Sequence, residues 1–237
     1  MTMTRNLLFH CYPIRGTLWP WHVDRLREYR HVWNGRRIVI LALDDRTAPE
    51  AELRDKLSPL EAEILVRRNN PALAETAYFL EGLGMLESRR SDEATFYAHA
   101  KGVTKNDFFR EPVRRWTELL YRANLLFPGV IDRRLERFGT VGCLRWTHLP
   151  TDMPFRGGWC WAGTFFWVRH DALFGRDWRR IDNKVYGVED YPGWQFSTTE
   201  SSCLTREEVI PKDLYYGAVD DKFTVETLVK LALENSK

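Results

Sequence analysis

Cysteine is scarce in this chain: Cys11, Cys143, Cys160 and Cys203 are spread over 237 residues. They show neither paired metal-ligand spacing nor the dense framework of a small secreted domain, so reduced thiols are expected. Long hydrophobic runs are missing too. No stretch approaches the roughly 20 apolar residues that span a bilayer, and the run from Asn6 to Cys11 is too short for a signal peptide. Both absences predict a cytoplasmic protein without a transmembrane segment. Nor is there a surplus of one charge: 35 Lys and Arg stand against 33 Asp and Glu, so no bulk field draws the chain to nucleic acid or to an anionic membrane. Any basic function must be local. Internal repeats and low-complexity tracts are absent.

What the chain does have is enough length, and a hydrophobic fraction of 44%, to bury a sizeable core. It also has ten Trp, whose faces serve both for packing and for stacking on sugar rings or bases. Composition alone does not choose between these uses.

The organising stretch is Ala94-Thr95-Phe96-Tyr97-Ala98-His99-Ala100-Lys101-Gly102-Val103, apolar and aromatic until it ends in two basic side chains and a glycine. It is too short for a buried helix and rich in β-formers, which predicts a central strand. Ligands of open α/β sheets lie beyond the carboxyl ends of the strands, so His99, Lys101 and Gly102 are expected there, suited to an anionic phosphate. A satisfied core histidine followed by a solvated lysine is the plainer alternative.

Before it, the pattern predicts a strand over residues 6–12, a helix over 21–33 stopped by Asn34-Gly35, and an apolar strand over 36–43 ending in Asp44-Asp45. Those carboxylates can accept hydrogen bonds from a ribose or base, or cap the turn before Pro49. A third strand is expected over 61–67 and a helix over 72–87, launched by Asn69-Asn70-Pro71.

After the organising strand come a polar loop over 104–111, helical segments over 112–126 and 129–137, a strand over 138–144 and a long polar loop over 147–158. An aromatic strand over 159–169 is interrupted by Ala162-Gly163-Thr164, where glycine permits close approach of a ligand or another backbone. A short helix over 171–174 leads to an aromatic loop over 185–194 carrying Glu189 and Asp190, and an amphipathic helix closes the chain over 224–235. Tyr and Trp neighbours desolvate a carboxylate and raise its pKa, so either acid is a candidate general base; a turn cap is the alternative for Asp190. The alternation of strands and helices predicts an α/β fold with a mostly parallel, Rossmann-like central sheet flanked by helices.

Taken in order, Cys11-Tyr12-Pro13, Asp44-Asp45, Tyr97-Ala98-His99-Ala100-Lys101-Gly102, Trp161-Ala162-Gly163-Thr164-Phe165-Phe166 and Glu189-Asp190-Tyr191-Pro192 resemble the A-type (GT-A, nucleotide-diphospho-sugar) glycosyltransferases. More narrowly they resemble bacterial and viral members with His-x-Lys-Gly after an aromatic strand. The resemblance covers most of residues 6–194 and implies one domain, with a nucleotide-binding half (1–103) and an acceptor-side half (104–237). It implies a UDP- or GDP-sugar donor, contacted by Tyr12, Arg15, Asp44, Asp45, His99, Lys101 and Gly102. Trp161, Gly163, Thr164 and Trp194 would frame the sugar or a glycan or other hydroxyl acceptor, and Asp190, ahead of Glu189, would be the base of an inverting transfer. Many such enzymes end the central strand in Asp-x-Asp, which holds a divalent metal; His99-x-Lys101 stands there instead and implies a metal-independent enzyme, although Asp44 or Asp45 could still bind one. A carbohydrate-binding module stacking on Trp159, Trp161 and Trp194 is a second reading. A nucleotidyltransferase is a third, but neither its acidic metal ligands at the strand end nor its glycine-rich phosphate loop is found.

Overall fold

The β-branched and aromatic runs do become strands. The computed structural model describes residues 3–147, 156–205 and 211–237, so most of the expected polar loop over 147–158 lies outside the described residues. Strands β1 (Thr4–Cys11), β2 (Arg37–Leu43), β3 (Glu63–Arg68), β4 (Glu93–His99), β5 (Thr140–Gly142), β8 (Phe166–Arg169) and β9 (Ser201–Cys203) form one seven-stranded sheet in the order β3-β2-β1-β4-β8-β5-β9. Strand β8 runs against both its neighbours, while every other adjacent pair is parallel. A separate antiparallel ribbon joins β6 (Arg145–Trp146) to β7 (Cys160–Trp161).

Helices cover both faces: α1 (Trp19–Glu28), α2 (Glu50–Leu57), α3 (Thr76–Gly84), α4 (Asp107–Leu125), α5 (Pro128–Leu135), α6 (His170–Phe174), α7 (Gly187–Gln195), α8 (Pro211–Leu214) and α9 (Asp221–Asn235). The strands alternate between two cores. Leu7, Phe9, Val39, Leu41 and Phe96 pack toward α1, α4 and α5, whereas Leu8, Ile38, Ile40 and Tyr97 pack toward α3, α6 and α7. The fold is therefore α/β, a mostly parallel sheet buried on both sides, which is why its strands read as nearly continuous apolar runs. Eight of the ten tryptophans are buried, at 8% exposure or less; Trp33 stacks on Phe96 at 5.7 Å and Trp167 lies tilted against both within 5.8 Å. Packing, not stacking on ligands, accounts for most of the tryptophan content. Among the described residues no helix is long and apolar enough to cross a membrane.

Several elements depart from expectation. The polar segment after the organising strand is the start of α4, because Asn106 caps it by accepting from the Phe109 amide at 3.4 Å. Helix α3 begins only at Thr76, since Asn70 spends its side chain on a local turn, accepting from the Ala72 amide at 3.2 Å. The aromatic strand splits into β7 and β8 at Gly163 (φ 98°) and Thr164 (φ 62°), two successive left-handed residues that turn the chain. A Cβ at Gly163 would lie 2.7 Å from Leu120 Cδ1, so the close approach there is to α4 and not to a ligand. The acidic aromatic segment is helix α7, not a loop. Helix α2 was not expected.

Helix α3 rests on β1 and β2 through Gly82, where a Cβ would lie 2.6 Å from Leu8 Cδ1 and 2.8 Å from Ile40 Cδ1. Gly82→Leu is expected to lower the unfolding free energy by about 1–3 kcal/mol through overpacking. Urea denaturation reads this, and an unchanged midpoint would mean that α3 does not press on the sheet here.

Candidate functional site

Strands β2 and β3 lie to one side of β1 and β4 lies to the other, so the chain leaves neighbouring parallel strands β1 and β4 in opposite directions. A crevice opens at the carboxyl ends of such strands. Here it is a cleft of about 280 Å³, with Tyr12, Asn69, Glu75, His99, Lys101 and Tyr215 among its walls.

At one end, the Tyr12 hydroxyl donates to Asp44 Oδ2 at 2.5 Å and accepts from the Arg46 guanidinium. Asp44 also accepts from Asn69 Nδ2 at 2.9 Å and from the Arg46 amide at 3.0 Å. Burial pushes the Asp44 carboxyl up, but these bonds together with the Arg46 charge outweigh it and hold the group below its ordinary value. Burial and the Asp44 carboxylate push the Tyr12 phenol up to about 12. Asp45 and Arg15 are exposed, and neither side chain has an ion-pair partner among the described residues. The structure thus joins Tyr12 and Asp44 but leaves Asp45 and Arg15 outside the network.

At the other end, β4 stops at His99 and the chain turns through Lys101 and Gly102. Gly102 has φ 85°, and a Cβ there would lie 2.7 Å from Val113 Cγ1, so the turn demands glycine. The turn is fixed from beneath. His22, fully buried, places Nε2 at 2.9 Å from the Lys101 carbonyl and Nδ1 at 2.9 Å from the Tyr121 hydroxyl. A carbonyl only accepts, so Nε2 carries the proton and Nδ1 accepts from Tyr121. Burial lowers the His22 pKa to about 3, which keeps the ring neutral.

The Lys101 ammonium lies 4.1 Å from the centre of the Trp116 ring, and no carboxylate stands within 4 Å of it among the described residues. His99 Nδ1 is 3.5 Å from Glu75 Oε1. Burial pushes Glu75 up, but the His99 charge and hydrogen bond, with His10, hold it at about 2. On the α7 side, burial raises the Glu189 carboxyl against the opposing pull of Lys101 and a hydrogen bond from the Gly163 amide. Burial likewise lowers the Lys101 ammonium, with Glu189 and Glu75 opposing. An acid tuned up and a base tuned down within electrostatic reach of each other, at a cleft, are marks of a chemical site.

The neighbouring acid is used differently. Asp190, 1% exposed, accepts from the Arg156 amide at 2.8 Å and the Gly157 amide at 2.7 Å, one on each oxygen, and Lys184 Nζ stands 3.4 Å away. That bonding anchors residues 156–157 on α7. Trp161 is wholly buried, edge-on to Trp159 at 5.0 Å and donating to Thr140 Oγ1 at 3.3 Å, so it offers no face to a sugar. Trp194 is half-buried beneath the Arg180 guanidinium at 4.7 Å. Among the described residues, Trp159 and Trp161 therefore offer no open face for stacking. Thr164 is buried at the turn beside Gly163.

Sequence reasoning missed His22, Arg46, Glu75, Lys105 and Tyr215. The first three carry no local pattern, since the sheet brings them in from separate elements; Lys105 stood two residues past the glycine turn and was in plain view.

Among the described residues no three His, Cys, Asp or Glu side chains converge as ligands for a divalent metal; Asp44 already accepts three hydrogen bonds and Asp45 is exposed.

No family model matches the chain, and no curated protein matches it. Two solved structures are similar to it, both of glucosyl-3-phosphoglycerate synthase from M. tuberculosis. One has 11% identity and a TM-score of 0.47, with 98% of this chain and 80% of that chain covered. The other, a complex with Mn2+, uridine diphosphate and phosphoglyceric acid, has 12% identity and a TM-score of 0.45, with 98% of this chain and 78% of that chain covered.

Burial holds His10 at about 4 and His22 at about 3. It also holds His170, bonded to Ser88 Oγ at 2.8 Å and Thr95 Oγ1 at 2.7 Å, at about 4. Unfolded, each titrates near 6.5, so between pH 6.5 and 4 the unfolded chain binds protons that the folded chain refuses. Glu75, held at about 2, acts in the same sense from 4.5 downward. Stability is present in full above pH 6.5 and is lost as pH falls. The urea midpoint is expected to be clearly lower at pH 5 than at pH 7, and equal midpoints would contradict neutral buried imidazoles.

Proposed function

We propose that this chain is a glycosyltransferase of the A-type that moves a sugar from a UDP- or GDP-sugar to an acceptor hydroxyl, with inversion and without a metal ion. The observation that carries the reading is Lys101: an ammonium in the wall of a switch-point cleft, free of any ion pair among the described residues, within electrostatic reach of a buried carboxyl. Such a charge is available to a diphosphate and costs no competing salt bridge to recruit.

Tyr12, Asn69 and Asp44 offer hydrogen-bonding groups to the nucleoside, and Lys101 with Lys105 and His99 receives the diphosphate. In the transfer step the acceptor oxygen forms a bond to the anomeric carbon while the bond from that carbon to the β-phosphate oxygen breaks. The bonding pair leaves on the phosphate, where Lys101 neutralises it, and the acceptor proton passes to the Glu189 carboxylate. A carboxyl raised by burial suits this, because a base with too low a pKa draws the proton weakly. Residues 1–103 carry the nucleotide side of this site apart from Lys105, and residues 104–237 supply Lys105 and Glu189.

Lys101→Ala is expected to weaken UDP or GDP binding about 10–100-fold, the worth of a charge-assisted contact, with or without a chelator present. Glu189→Gln is expected to leave that binding intact and to cut transfer by about 10²–10⁴-fold. Thermal-shift titration and a sugar-nucleotide transfer screen read the two effects. Full binding by the first variant together with full transfer by the second would refute the assignment.

A further inference from the structure

Among the described residues only three aromatic side chains are exposed, Phe108 at 71%, Tyr216 at 71% and Tyr186 at 48%. None lines the cleft itself, but each adjoins it in sequence or through a chain of rings. Tyr186 follows Val185 and Tyr216 follows Tyr215, both wall residues, and Phe108 packs on Phe109, which packs on Tyr215. The rings form a continuous path outward. Lys101 sits 4.1 Å over Trp116, Trp116 meets Tyr215 at 5.5 Å, and Phe109 meets Tyr215 at 6.0 Å and Tyr216 at 5.9 Å. Lys105 Nζ lies 4.7 Å over Tyr215.

Segments far apart in sequence, the first turn of α4 and the pair after α8, converge to make this rim. An aromatic left in water forgoes the burial that places eight tryptophans of this same chain in its core. A ligand that covers the rim recovers it.

We infer that Phe108, Tyr215 and Tyr216 form the acceptor subsite and that its occupant is a pyranoside. This rests on the proposed transferase reading. Aromatic faces match the C–H faces of a sugar ring, while the two phenols and Lys105 supply partners for its hydroxyls. The surrounding charges have both signs, with Arg110 paired to Asp107 at 2.6 Å and Asp213 nearby in sequence, unlike the uniformly basic surround that an anionic lipid surface selects. Glu189 is among the charges acting on the Tyr215 phenol, so the rim lies within electrostatic reach of the proposed base.

The test uses the full chain and its Phe108→Ala/Tyr216→Ala variant, with circular dichroism as the check on folding. Probes are methyl β-D-glucopyranoside, methyl β-D-galactopyranoside and methyl α-D-mannopyranoside in saturation-transfer NMR, UDP and GDP in thermal shift, and vesicles of phosphatidylcholine with phosphatidylglycerol in co-sedimentation. At least one glycoside is expected to bind the wild type, with affinity falling about tenfold or more in the variant while nucleotide stabilisation stays unchanged. Glycoside binding that is absent, or equal in the two proteins, overturns the inference and leaves the transferase reading standing, as does vesicle binding that the variant loses. Failure of both nucleotides to stabilise the wild type instead sinks the transferase reading.

Discussion

The hydrogen bond from His22 to the Lys101 carbonyl is the constraint on which the site depends. A lysine side chain is long and its rotamers are many, so an ammonium is placed only as well as its backbone is placed. Here the backbone is fixed on three sides. The Lys101 carbonyl is held by His22 at 2.9 Å, the preceding Ala100 amide donates to the His10 carbonyl at 2.9 Å, and Gly102 turns left-handed against Val113. His22 is itself oriented by Tyr121, whose ring meets Phe165 at 4.9 Å in the core. The position of one surface charge is thereby set by the packing of the interior.

That placement decides the electrostatics around it. Lys101, Glu75 and His99 line the cleft, with Glu189 within electrostatic reach; Glu75 is engaged by His99 at 3.5 Å, while Lys101 has no close ion pair among the described residues. Had Lys101 formed a close buried ion pair with Glu189, both would have spent their charge on each other, and separating them for a ligand would have cost several kcal/mol. Stacking on Trp116 holds the ammonium by its ring instead, worth about 0.5–2 kcal/mol, little enough for a phosphate to compete. Asp190 shows another arrangement: each of its oxygens accepts from a backbone amide, so it organises the chain at residues 156–157.

The sheet was legible in the sequence because most of its strands are buried on both faces and read as apolar runs; β1, β2 and β3 fall within two residues of expectation at each end, and β4 starts one residue early and stops at His99. The functional turn was legible for the same reason, as the place where such a run stops at His99-Ala100-Lys101-Gly102. Helices were read less well where polar residues served as caps, as at Asn106, or where proline and glycine sat inside, as at Pro192 and Gly193 of α7. The choice between Glu189 and Asp190 was not legible at all. Adjacent acids one residue apart on a helix differ by about 100° in direction, and which of them meets the 156–157 amides is decided by a chain segment more than 30 residues away. The aromatic role assigned to Trp161 failed on burial, since a run dense in aromatics is a core strand before it is a binding surface.

Where a strand ends in two carboxylates, a metal brings the positive charge and the protein supplies only its cage; in the function proposed for this chain, whose strand ends in histidine and lysine, the protein supplies the charge itself. The second solution moves the burden from ligands to backbone, because a fixed ammonium cannot adjust its position as a hydrated ion does. A rigid turn is then required, and this chain builds one from a buried neutral histidine and an obligatory glycine. Asp44, at the carboxyl end of β2, bonds with Tyr12, Asn69 and Arg46 and ties the loops after β1, β2 and β3 together, which stiffens that end of the cleft.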